Sequence, residues 1–300
     1  MNKSTGLRLI MEGLVNRYVQ RVPEVSRIID IMIRESIISS EDEIQNDHIA
    51  FRTLGVPNLG VKSLEKIFLH YGYTKKDHYY FPGKCLDAWW FAPPSKAFPR
   101  IFISELRVSD LSPRAESIIR AYTGSIKKDP VDLLDLGDPH AVDLFLHSSL
   151  WRIPTLADYE SLASESEYAA WVIYNRYYLN HFTIAVHNLK KGYNTIMEFN
   201  QFLEKHGIIL NDSGGTIKQS ADGDLLQSST IAHMVEAVFA YGKKGLIPGS
   251  YVEFAERRVL KNFSGLPLDK ITDEHRREGF EAANADKIFE STYLEQTGRR

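Results

Sequence analysis

From Gly6 onward, Leu7, Ile10, Met11, Leu14, Tyr18 and Val19 recur at helical spacing, which predicts an amphipathic helix over residues 6 to 21. Pro23 is placed to start a second helix, whose Val25, Ile28, Ile29, Met32 and Ile33 make one stripe up to about Ser36. The acidic loop "SSEDEIQND" then delivers the chain to "HIAFRTL", where apolar and polar positions alternate as in a half-buried strand. In "GVKSLEKIFLHYGY" the spacing turns helical again, through Val61, Leu64, Ile67 and Phe68, with Gly72 as the stop. "DHYYFP", "LDAWWFAPP" and "PRIFISELRV" are short aromatic and β-branched runs separated by Pro-Gly and Pro-Pro, the punctuation of antiparallel strands. Residues 46–108 therefore read β-α-β-β-β.

Residues 109–177 keep helical periodicity in "SPRAESIIRAYTG", "HAVDLFLH" and "TLADYESLASESEYAAWVIYNRYY", as a helical insertion would. "NHFTIAVHNL" opens a second round. It continues with "TIMEFNQFLEKHG" as helix, "IKQSADG" and "LLQSSTIAHMVEAVF" as strands, and "GSYVEFAERRV" as the closing strand. The expected organisation is α+β within one chain-long domain. It has N-terminal helices over 1–45, βαβββ modules over 46–108 and 178–262 flanking the insertion, and a closing segment over 263–300. Each module opens with Asx-His followed by alternating apolar residues, "DHIAFRT" and "NHFTIAV", a weak internal repeat.

Composition narrows the function. With 43% hydrophobic and 25% charged residues the chain has an ordinary globular balance. The net charge is −3, and the basic pairs Arg257-Arg258, Arg276-Arg277 and Arg299-Arg300 are scattered, which argues against a nucleic-acid partner. The single cysteine, Cys85, excludes an intrachain disulfide framework and any multi-cysteine metal site, and fits a reducing compartment; the cytoplasm is the expectation. Arg8, Glu12 and Arg17 interrupt what would be a signal-peptide core, and no apolar run reaches membrane-spanning length, so no membrane association is expected. Neither GxxxxGK[ST] nor GxGxxG occurs, so no phosphate loop is present.

Strand alternation places His48, Ala50 and Arg52 on one face, and likewise His181, Thr183 and Ala185. On the closing strand Tyr251, Glu253, Ala255 and Arg257 share a face, and Glu253 is the acid most enclosed by apolar neighbours. Two neutral imidazoles and one carboxylate make a facial triad, which leaves up to three positions of an octahedral Fe(II) open. A lone strand histidine is more often a hydrogen-bonded half-buried residue; the repetition at His181 strengthens the metal reading. Glu105, on the closing strand of the first module, reads as a fourth ligand, a hydrogen-bonding partner of a ligand or a plain strand acid, with the second favoured. Gln227 and Ser228 in "DLLQSST" offer an amide and a hydroxyl to an oxo-acid, or simply a satisfied strand. His70, His78, His140, His147, His187, His206, His233 and His275 have no matched partner at ligand spacing.

Taken together, "DHIAFRT", "NHFTIAV", "PGSYVEFAERRV" and "GFEAANADKIFES" resemble the 2-oxoadipate dioxygenase/decarboxylase family over about residues 8 to 292. That family is similar to 4-hydroxyphenylpyruvate dioxygenase within the vicinal-oxygen-chelate superfamily, so the resemblance implies a curved sheet built from paired βαβββ modules. It also implies Fe(II) held by His48, His181 and Glu253, with Arg52 binding substrate. Glu253 is preferred over Glu256 because "EFAER" fits the family's ligand pattern, leaving Glu256 as surface charge. The C-terminal "GFEAANADKIFEST" resembles a helix that closes over the metal, with Phe280 and Phe289 packing there; ordinary terminal packing is the alternative. The implied reaction takes a 2-oxo acid and dioxygen, converting 2-oxoadipate to 2-hydroxyglutarate and CO2. Arg52 stands four residues beyond His48, about 13 Å along a strand, which suits a substrate charged at both ends. A redox-neutral metal-dependent hydrolase or isomerase, or a non-catalytic binding protein, would use the same residues.

Overall fold

Polar residues that cap helices and turns that break strands decide where each element starts. The computed structural model describes residues 2–298, so the Arg299-Arg300 pair lies outside the described residues. The N-terminal helices are α1 (Lys3–Arg21) and α2 (Pro23–Arg34). The first β-α-β-β-β run follows as β1 (Asn46–Leu54), α3 (Val61–His70), β2 (Thr74–Phe81), β3 (Leu86–Ala92) and β4 (Arg100–Leu106). Helices α4 (Pro113–Thr123), α5 (Pro139–Leu146), α6 (Leu156–Ala163) and α7 (Glu167–Asn175) make up the helical stretch. Side-chain oxygens of Ser112, Asp138, Thr155 and Ser166 each accept a first-turn backbone N–H from these helices, an interaction of about 1 kcal/mol per cap. The cap at Ser166 also divides "TLADYESLASESEYAAWVIYNRYY" into α6 and α7, where periodicity alone showed one segment.

The second run comprises β5 (His181–Ala185), α8 (Ile196–Lys205), β6 (Lys218–Gln219), β7 (Leu225–Ser229) and β10 (Tyr251–Arg257). Strands β8 (Met234–Val238) and β9 (Lys244–Pro248) interrupt it as a separate two-stranded sheet. The reading of "LLQSSTIAHMVEAVF" as strands of the second module is thereby corrected: the run breaks after Ser229, and its second half pairs with β9. The chain ends in α9 (Ala282–Ile288) and α10 (Leu294–Thr297).

The eight-stranded sheet has the order β2-β3-β4-β1-β5-β10-β7-β6. Each half repeats one plan: the module's first strand is central, its closing strand lies beside it, and the remaining two run outward. This α+β arrangement of two βαβββ modules is the expected one.

Contacts divide the chain into two compact units. One comprises residues 1–21, 49–181 and 234–250, the other residues 22–48, 182–233 and 251–300. The chain passes between them inside β1, after His48, and inside β5, after His181. In the first unit the core runs through Leu7, Ile10 and Leu14 of α1, Leu64, Ile67 and Phe68 of α3, and Ile101 and Ile103 of β4, all fully buried. Phe51 of β1 packs on Phe68 with ring centroids 5.6 Å apart. In the second unit β10 pairs antiparallel with β7, and Phe199 of α8 meets Phe254 of β10 at 5.2 Å. No helix among the described residues is long and apolar enough to cross a membrane.

Candidate metal centre

β1 and β10 bury every residue around the candidate ligands, so the polar groups they carry must find partners inside the protein. One ligand atom each from His48, His181 and Glu253 lies within 4.8 Å of the other two, and all three residues are buried. His48 Nε2 is 3.3 Å from Glu253 Oε1 and 3.1 Å from Thr183 Oγ1. Burial penalises the imidazolium of His48, but the carboxylates of Glu253 and Asp47 outweigh it and hold its pKa above the ordinary histidine value.

The residue preceding each histidine orients it. Asp47 Oδ2 accepts from His48 Nδ1 at 2.8 Å, and Asn180 Oδ1 accepts from His181 Nδ1 at 3.0 Å. Both acceptors fix the proton on Nδ1 and so direct Nε2 toward the ligand role. Glu253 is steadied from β7: Gln227 Nε2 donates to Glu253 Oε1 at 2.6 Å, and Gln227 Oε1 accepts from Asn284 Nδ2 of α9 at 3.0 Å. Phe280 of the C-terminal segment stands edge-on to the ring of the candidate ligand His48 at 4.8 Å. Two imidazole nitrogens and one carboxylate oxygen, buried and pre-oriented, fit a divalent transition metal with coordination positions to spare.

The other predicted site residues are placed differently. Arg52, on β1, is 1% exposed within the first unit. Its guanidinium carbon lies 5.1 Å from the Tyr168 ring centroid and 5.3 Å from that of Trp171. Tyr168 is held in turn by Ser104 Oγ at 2.8 Å and by the Thr53 N–H at 3.2 Å, and burial pushes its phenol pKa up. Ser228 is not brought to the triad. It stands opposite Phe254 in the ladder, on the face away from Glu253, and donates to Asn200 Oδ1 of α8 at 2.7 Å.

Two acids also depart from expectation. Glu105 partners no ligand: its Oε2 accepts the Val61 N–H at 2.7 Å and caps α3, where burial raises its pKa. Gly60, at φ +80°, leaves the room this needs, since a Cβ there would sit 2.1 Å from Glu105 Oε2. Glu256 is not surface charge. It is 7% exposed, and its Oε2 accepts the Ile196 N–H at 2.7 Å, capping α8.

Sequence reasoning missed Asp47 and Arg257. Arg257 Nε donates to Asp47 Oδ1 at 2.6 Å and its Nη2 to Oδ2 at 2.9 Å, both residues being buried. The signal was present, because Asp47 directly precedes His48 and alternation already placed Arg257 on the face of Glu253.

Comparison with known proteins identifies the family. Residues 10–268 match the family model for 2-oxoadipate dioxygenase/decarboxylase. A chloroplastic 2-oxoadipate dioxygenase/decarboxylase of Arabidopsis thaliana is 42% identical over 98% of this chain and 79% of its own. The crystal structure of hydroxyglutarate synthase from Oryza sativa, in complex with 2-oxoadipate, superposes with a TM-score of 0.89 at 40% identity, covering 99% of this chain and 95% of that one. A Ralstonia eutropha protein described under the glyoxalase superfamily shares the fold alone, with a TM-score of 0.69 at 19% identity over 91% of this chain and 85% of that one. The chloroplastic relative overturns the expectation of a cytoplasmic protein: a single cysteine speaks to disulfide chemistry and not to which compartment holds the chain. The matched family model and relatives 42% identical over 98% of this chain make it a member of the 2-oxoadipate dioxygenase/decarboxylase family of enzymes.

Proposed function

We propose that this protein holds Fe(II) through His48, His181 and Glu253 and converts a 2-oxo dicarboxylic acid, 2-oxoadipate foremost, with dioxygen into 2-hydroxyglutarate and CO2. The six carbons of the acid leave as five plus one: the carboxylate beside the keto group leaves as CO2 with its own two oxygens, and both oxygen atoms of dioxygen enter the five-carbon product, one in its new carboxylate and one in its hydroxyl. The observation that carries the reading is the convergence of three buried donors within 4.8 Å. Substrate identity rests on the family and on the 2-oxoadipate complex of the Oryza sativa relative.

Iron held there would relay electrons from the substrate to dioxygen and supply the Lewis acidity that oxidative decarboxylation needs. The protein supplies the geometry. Three ligands leave room for the carboxylate and keto oxygens of the substrate and for dioxygen. Arg52 pairs with the distal carboxylate through a two-pronged hydrogen bond, its guanidinium lying over the Tyr168 and Trp171 rings. Gln227 positions Glu253 with one amide N–H and presents the other to the oxo-acid.

The test is oxygen uptake by the Fe(II)-loaded protein across 2-oxoadipate, 2-oxoglutarate and a 2-oxo acid with a neutral chain. Uptake with 2-oxoadipate matched by equal 2-hydroxyglutarate and CO2 supports the reading, and absence of uptake across the panel overturns it. Turnover that continues without oxygen assigns redox-neutral chemistry instead. Protein that takes up no stoichiometric Fe(II) is a binding protein without catalysis.

A further inference from the structure

Arg257 is 1% exposed and Asp47 3% exposed, so their ion pair is cut off from water. A buried pair is weak evidence for stability, since apolar side chains of similar volume often serve the fold as well. What the pair touches is more informative. Asp47 Oδ2 takes Arg257 Nη2 at 2.9 Å and His48 Nδ1 at 2.8 Å, so one oxygen joins the guanidinium to the imidazole. The third arm of the same guanidinium, Nη1, donates to the carbonyl oxygens of Gly279 at 2.7 Å and Arg277 at 3.0 Å. Those bonds hold the segment that sets the Phe280 ring against His48, and the guanidinium itself lies 5.5 Å from that ring.

At the other histidine the preceding residue is an amide in place of a carboxylate. Asn180 Oδ1 meets His181 Nδ1 at 3.0 Å, and its acceptor is a neutral amide. A carboxylate accepts an imidazole N–H more strongly than an amide does, roughly twice as strongly.

We propose that Asp47 and Arg257 are positioning residues for the metal. Arg257 fixes the Asp47 carboxylate, Asp47 fixes the tautomer and ring plane of His48, and the Gly279–Phe280 segment closes the remaining side. His48 is thereby the more firmly oriented of the two histidine ligands. This inference rests on the metal reading of the site.

The experiment uses Co(II) as a redox-stable probe, with affinity from chelator competition and ligand geometry from the visible spectrum. The proteins are wild type, Asp47→Asn, the double variant Asp47→Asn with Arg257→Met, and Asn180→Ala. The double variant removes both charges, so no uncompensated ion is left buried. Co(II) affinity about 10–100-fold weaker in both Asp47 variants, with an altered spectrum and a smaller loss in Asn180→Ala, is the expected result. Wild type that binds no Co(II) would sink the metal reading itself. If wild type binds, a double variant with unchanged affinity and spectrum overturns the positioning role alone, as does an Asn180→Ala loss equal to that of Asp47→Asn. A double variant that does not fold assigns the pair to the fold and overturns the proposal as well.

Discussion

The two βαβββ runs share a plan, and their closing strands show how different tasks are laid on it. Glu105 of β4 accepts the first N–H of α3 and Glu256 of β10 accepts the first N–H of α8, both at 2.7 Å. These acids are therefore counterparts, each tying a helix to its own sheet. Three positions earlier the strands diverge: β10 carries Glu253 where β4 carries Phe102. The opening strands diverge in the same way, since both begin Asx-His but only β1 continues to an arginine, Arg52, where β5 has Ala185. The Asx-His pair and the helix-capping acid are repeated, whereas Glu253 and Arg52 stand where the repeat is broken. An acid near the end of a closing strand thus says little until its face is known.

Turning Glu253 into its counterpart breaks the comparison most severely. Glu253→Phe removes the carboxylate, leaves Gln227 without its acceptor and abolishes stoichiometric metal loading; His48→Ala has the same outcome. Metal analysis after Fe(II) loading checks both. Stoichiometric iron in Glu253→Phe would mean that the ligand set is not His48, His181 and Glu253.

Making β1 resemble β5 through Arg52→Ala is the next largest change. The substrate loses a charge-assisted pair, so kcat/KM for 2-oxoadipate falls about 100-fold, consistent with roughly 3 kcal/mol for hydrogen bonds to a charged group. A 2-oxo acid with a neutral chain suffers less, and metal affinity is unchanged. Equal turnover of 2-oxoadipate by wild type and Arg52→Ala would remove the arginine from the site.

Much of this was legible in the sequence because strand alternation assigns faces. It puts His48 with Arg52, and Glu253 with Arg257, on the residues alone. The same rule separates Gln227 from Ser228, since neighbours on a strand point to opposite faces, and Ser228 falls on the α8 side. The departure of β8 from the main sheet was not legible, because an alternating run looks the same whichever sheet it joins. The helix-capping roles of Glu105 and Glu256 depend on where a helix start approaches a strand, and neither periodicity nor composition carries that distance.

A third difference between the runs is His187, just beyond β5, whose Nδ1 accepts the Arg257 N–H at 3.2 Å. Accepting requires the neutral ring, and burial lowers the His187 pKa from 6.5 to about 4. Between those values the unfolded chain binds a proton that the folded one refuses, so stability falls as pH drops from 6.5 toward about 4. The loss is on the order of 2 to 3 kcal/mol at the acid end. His187→Gln keeps an acceptor for Arg257 and flattens this part of the profile in chemical denaturation of the metal-free protein. An unchanged slope would show that other groups carry the acid sensitivity.

The smallest effects test whether Glu105 and Glu256 are true counterparts. Glu105→Ala and Glu256→Ala each leave a helix N–H without its acceptor, which costs about 0.5–2 kcal/mol, as loss of an N-terminal cap does. The two losses should be similar, because the lost bond is of the same kind and length in both. Co(II) affinity should be unchanged in each, since each carboxylate is engaged at the start of a helix. A drop in metal affinity for Glu105→Ala approaching that of Glu253→Phe would reverse the assignment, making Glu105 the counterpart of the ligand. A large stability difference between the two variants would instead show that the helix ties are unequal and that the symmetry of the runs stops at strand order.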